Sequence, residues 1–138
     1  MFFEGAPRLV CSGVTIPVLQ SGDPARIVVE AYPGVMARQL VGRSGYKNDN
    51  PRKQTEEQHQ TRRAILDHIL NGQIEASYGL FVKASKNLAD DPSGDQLDAL
   101  LCAIQAAWAW TMRERDYGAP LDTDPLEGWI ADPSLRTR

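Results

Sequence analysis

Cysteine and histidine are scarce: the 138 residues hold two of each. Cys11 and Cys102 lie too far apart in the chain to suggest a disulfide framework, and are expected as reduced thiols in a cytoplasmic protein. His59 and His68, placed on one helix at about 100° per residue, would point in opposite directions, which excludes a metal shared between them. No stretch approaches the roughly 18 uninterrupted apolar residues of a membrane span. The opening "MFFEGAPRLV" has no basic segment ahead of a long apolar one, so no secretory leader is expected. Ser44 in "GRSGY" is not a G-x-S-x-G nucleophile elbow, and "GRSG" matches neither a Walker nor a dinucleotide loop. No aspartate occurs before Asp23. The net charge of -3 does not by itself announce a nucleic-acid partner.

What is present is an ordinary globular composition, 42% hydrophobic and 24% charged, in a chain long enough for one domain over residues 1–138 that buries about two thirds of its unfolded surface. The runs "VTIPVL" (14–19) and "RIVVEAY" (26–32) read as strands separated by the turn-forming "QSGDPA". "PGVMARQLVG" (33–42) reads as a helix from Pro33 to Gly42, and residues 43–52 as an exposed loop. A second helix is expected over 53–70, closed by Asn71 and Gly72, with Ile65, Leu66, Ile69 and Leu70 crowding its last turns. Its first half should lie over solvent or over a site. Residues 74–94 read either as a broken helix or as a loop with one helical turn. "LEGWIADP" (126–133) reads as a short terminal strand ending at Pro133.

Between these lies "SGDQLDALLCAIQAAWAW" (93–110), a long helix with Leu97, Leu101, Ile104 and Trp108 on one stripe, expected to pack on a sheet. Asp98 falls about 100° from Leu97, and Asp95 about 60° further round. Two readings are open. Asp95 could be the N-cap with Asp98 supporting the first turn through the macrodipole; or both could serve a metal. Glu30, near the end of an apolar strand where α/β ligands gather, is the third acid that makes the metal reading coherent. It could equally be a carboxylate emerging into solvent at a strand tip.

"VVEAYPGVMARQL", then "GYK", and much later "DQLDALLCAIQAAWA" and "EGWI" resemble the domain-of-unknown-function family 429, a set of predicted nucleases with the RNase H fold. The resemblance runs from about Pro7 to Ile130. It implies an α/β, RNase H-like (resolvase-like) three-layer domain. Glu30 would match the central-strand acid, and Asp95 and Asp98 the pair heading the final helix, together forming the catalytic and metal-binding set. The chemistry implied is phosphodiester hydrolysis with Mg²⁺ (or Mn²⁺), in two-metal form with ions about 3.5–4 Å apart. Such folds carry an aspartate on their first strand, and "MFFEGAPRLVCSG" offers none. By the resemblance the chain is incomplete at its N-terminus, lacking a β-hairpin and the first catalytic aspartate. The sheet edge so exposed would suit a homodimer.

Charge is unevenly spread. Between Arg38 and Arg63 seven cations face three acids, Asp49, Glu56 and Glu57, whereas from Asp90 to Asp132 ten acids face two arginines. Arg43, Lys47, Arg52, Lys53, Arg62 and Arg63 are therefore candidates for gripping nucleic-acid phosphates, although any single one could be an ordinary solvated charge. The expected function is a metal-dependent nuclease. The alternative is a non-catalytic RNase H-fold protein that binds a partner. No membrane association is expected.

Overall fold

The computed structural model describes residues 2–48 and 50–136; Asp49, one of the acids counted above, lies outside them. Helix α1 spans Phe2–Cys11, strands β1 and β2 span Val14–Thr15 and Asp23–Ile27, and helices α2 to α5 span Pro33–Val41, Glu56–Leu70, Glu75–Tyr78 and Asp95–Thr111. Short 3₁₀ segments lie at Pro51–Lys53, Lys86–Asp90, Arg113–Gly118 and Pro133–Leu135, the third of them kinked at residues 115–117.

The protein is mixed α/β, with mostly helices and a sheet of only two parallel strands among the described residues. Of the expected architecture the α/β class is present, with a sheet much smaller than three layers would need. Val14 pairs with Asp23 and Thr15 with Ile27, so the ladder slips between the two pairs. Parallel strands ordinarily need a crossover of about a dozen residues or more. Here the tight 16–22 turn is enough, because the pairing is so short and Ile16 and Gln20 bridge within the turn. Gly22 permits that fold-back, since a Cβ there would strike the carbonyls of Gly13 and Val14.

Local signals placed the helices better than the strands. Helix α2 has Pro33 in its first turn and ends at Gly42, whose φ of 68° favours glycine. The helix expected to begin at residue 53 begins at Glu56. Thr55 and Gln58 form a reciprocal capping box that ends the preceding 3₁₀ turn and starts α3. The 74–94 segment resolves into one α-turn, α4, and one 3₁₀ turn. The strand expected over 14–19 reduces to two residues. That over 26–32 is displaced to Asp23–Ile27, and that over 126–133 shrinks to one parallel bridge, Glu30 with Ile130. α1 was not legible as a helix.

The core lies between helices. Met36 and Ala37 of α2, Ile65, Leu66 and Ile69 of α3, and Leu97, Leu101, Ile104 and Trp108 of α5 form one buried cluster with Tyr78, Ala89 and Ala131. The α5 stripe expected to dock on a sheet therefore docks on α2, α4 and the 3₁₀ turns at 86–90 and 113–118. Burying each large aliphatic side chain contributes roughly 1.5–3 kcal/mol. Residues 5–30, by contrast, bury only Val14 and Pro17. No helix among the described residues is long and apolar enough to cross a membrane.

Candidate functional site

The second aspartate of α5 meets the "GYK" loop. Asp98 accepts a hydrogen bond from the Tyr46 hydroxyl at 2.7 Å through Oδ1, and pairs with the Lys47 ammonium at 2.5 Å through Oδ2. Burial, followed by the hydrogen bond to Asp98, pushes the Tyr46 phenol well above its ordinary pKa, so it remains a neutral donor. The carboxylate is about four-fifths screened from solvent, with 20% exposure, and the Lys47 side chain is 36% exposed. Lys47 reaches Asp98 by running its stem over Gly94, the N-cap of α5. A Cβ at Gly94 would press on Lys47 Cβ and Cδ at 3.2 Å, and its φ of +74° is itself glycine's territory.

The cap of α5 is not Asp95. Asp91 Oδ2 accepts from the Gln96 amide at 3.0 Å, Asp91 Oδ1 from the Ser93 amide, and Ser93 Oγ from the Asp95 amide. The Gln96 amide is the main cause that holds the Asp91 carboxyl below its usual range. Asp95 is the first residue of the helix and is exposed. Glu30 is exposed beyond the end of β2, its carbonyl accepting from Ala131 at 2.8 Å. Among the described residues no three His, Cys, Asp or Glu side chains group so as to hold a metal ion. Glu30, Asp95 and Asp98 therefore do not fit a shared Mg²⁺ or Mn²⁺ in this arrangement, the more so because each oxygen of Asp98 already has a protein donor.

The six basic candidates divide. Arg62 is buried at 3% exposure and acts as a staple: Nε donates to the Ala89 carbonyl, and Nη1 to the Tyr46 carbonyl and to Gln54 Oε1. Arg63 is exposed and pairs with Asp90 at 3.2 Å, where His59 also bonds at 3.1 Å. Hydrogen bonds from His59 and then Arg63 lower the Asp90 pKa. Arg52 and Lys53 are exposed on the 51–53 turn. Arg43 and Lys47 line an open groove of about 450 Å³ with Arg38, Ser44, Tyr46 and the backbone of Gly42 and Gly45. No acidic residue is among those lining it.

One group escaped the sequence reading. Asp132 is 1% exposed and accepts five hydrogen bonds: from Tyr78 Oη at 2.6 Å, Gln105 Nε2 at 2.8 Å, Gln39 Nε2 at 2.9 Å, the Ser134 amide at 2.9 Å and Ser134 Oγ at 2.6 Å. Burial opposes its charge, but the donors from Ser134, Tyr78 and Gln105 outweigh it and hold the carboxyl below the ordinary carboxylate value. Burial and the same hydrogen bond push the Tyr78 phenol up. "DPS" at 132–134 carried a local hint, an aspartate able to accept from the amide two residues on; nothing local pointed to Tyr78 or Gln105.

No curated protein and no solved structure matches the chain. The family described as Protein of unknown function (DUF429) matches residues 16–121, which takes in the Asp98–Lys47 pair and the whole basic groove, and to that family the chain belongs.

Proposed function

We propose that the protein binds the phosphate backbone of a nucleic acid in the groove between α2 and the 42–47 loop. The observation that carries this reading is the lining itself: Arg38, Arg43 and Lys47 bring three cations to one groove with no acid among its walls. Neither Arg38 nor Arg43 makes an ion pair among the described residues. The open shape favours a chain lying across it over a small ligand, which would need most of its surface enclosed. Arg52 and Lys53, exposed further along the same loop, can add contacts along the strand. The test is oligonucleotide binding measured against salt concentration for the parent and for Arg38→Ala with Arg43→Ala. Two lost phosphate contacts should flatten the log–log slope by roughly 1.4–1.8. An unchanged slope sinks the groove.

A second reading, hydrolysis by Mg²⁺ or Mn²⁺ held by Glu30, Asp95 and Asp98, is favoured by the exposed position of Glu30 beyond a strand end. It requires those carboxylates to converge and Lys47 to leave Asp98. Its first test is the melting temperature with and without divalent ions: a rise that Glu30→Gln and Asp98→Asn each abolish would establish the ion site, cleavage of an oligonucleotide that needs the ion would establish hydrolysis, and indifference to the ions would remove the reading.

A further inference from the structure

We propose that Asp98 is a built-in stand-in for phosphate: it neutralises Lys47 in the wall of the groove and yields it to an incoming phosphate, so that Asp98 sets how strongly the groove grips. The inference rests on the phosphate-binding reading above and adds a residue that opposes binding. Lys47 differs from its two basic neighbours in one respect. Arg38 and Arg43 are exposed and make no ion pair among the described residues, whereas Lys47 faces the carboxylate of Asp98. A lysine ammonium is a point charge on a rotatable stem, which can exchange one oxyanion for another by turning a few bonds. At 36% exposure it is already reachable from solvent. The loop would not come adrift in the exchange. Tyr46 Oη holds Asp98 Oδ1 independently, the Lys47 carbonyl accepts from Gln58 Nε2, and the Tyr46 carbonyl accepts from Arg62. The main chain on either side of the lysine is thus held independently of the Lys47–Asp98 pair.

Asp98→Asn tests this with an unusual sign. Asparagine can still accept from Tyr46, but it no longer neutralises Lys47. A carboxylate that merely braced the loop would, when replaced, weaken binding or leave it alone. A stand-in for phosphate, when neutralised, should tighten it. The salt slope for an oligonucleotide should steepen by about 0.7–0.9, and the affinity near 0.1 M salt should rise on the order of fivefold. Glu75→Gln removes one negative charge from an exposed position at the start of α4, away from the groove lining, and should change neither quantity. In a Lys47→Met background the gain from Asp98→Asn should vanish. If Asp98→Asn fails to fold, the singles decide: Lys47→Met should flatten the slope clearly less than Arg43→Ala, because Lys47 starts out already paired, and equal losses would overturn the proposal. A folded Asp98→Asn that binds no more tightly than the parent would overturn it too, with the groove reading intact if the arginine variants still lose slope. Binding indifferent to Arg38 and Arg43 would instead sink the groove reading and this inference together.

Discussion

Asp98 and Asp132 both reach α5, one from its first turn and the other beside Gln105 in its middle, and they are satisfied in opposite ways. Asp98 is partly exposed, with one cation and one hydroxyl. Asp132 is fully buried and has five donors from neutral groups and no cation among its hydrogen-bonding partners. Arg62 completes the contrast as a buried cation satisfied by neutral oxygens. A buried charge ringed by fixed neutral dipoles costs several kilocalories if any part of the ring is removed, since the rest cannot find water. A charge paired at the surface can change partner at little cost. The first arrangement suits holding a fold together, and the second suits exchange with a ligand.

The largest break in that comparison should come from Asp132→Ala, which strands Tyr78 Oη and Gln105 Nε2 in the interior and should cost about 3 kcal/mol or more in urea unfolding. A loss below 1 kcal/mol would mean the cluster is not what ties residues 130–135 to the body. Tyr78→Phe removes a single donor to the carboxylate and should cost about 1.5–3 kcal/mol by the same measurement. The pH dependence sharpens the point. The Asp132 carboxyl lies below its ordinary value in the folded protein, so its contribution is fully present at neutral pH. That contribution fades as the pH falls below about 4, the unfolded carboxylate range, towards the folded value. Asp132→Asn should therefore flatten the acid limb of a stability-against-pH curve, and a limb of unchanged steepness would assign acid lability to other carboxylates. At the small end, Asp98→Asn should cost less than about 1 kcal/mol of stability, because the pair it breaks is partly exposed and Tyr46 keeps an acceptor. A cost as large as that of Asp132→Ala would erase the distinction between the two carboxylates.

Legibility in the sequence followed the range of the interactions. Helix α2 was readable from Pro33 and Gly42, and α5 from the spacing of Leu97, Leu101, Ile104 and Trp108, all of which are buried. The start of α3 was misplaced although its capping box, "TEEQ" at 55–58, stood in the sequence. The strands were overdrawn because apolar β-branched runs such as "RIVVEAY" report burial against something without saying what. Here that something is α5, whose Gln105 Oε1 accepts from the Tyr32 amide at 2.9 Å, and the 128–132 segment, whose Ala131 amide donates to the Glu30 carbonyl at 2.8 Å. Arg62 looked like one more surface cation on a polar half-helix and proved to be interior.

By itself the sequence determined the domain's composition, the buried face of α5, the two ends of α2, the opposite charge of its two halves, and the presence of an aspartate two turns ahead of Gln105 on a helix. These depend on neighbours within a turn or two, so residue type and spacing suffice. Which partner each charge found was decided only by tertiary structure. Asp98 met Lys47, Asp132 met Tyr78 and Gln105, and Arg62 met Ala89, each across a stretch of chain that brings them together only when α2, α3 and α5 close on one core. A charge is settled by whatever polar group lies within about 3 Å of it once water is excluded, and that choice is made by packing.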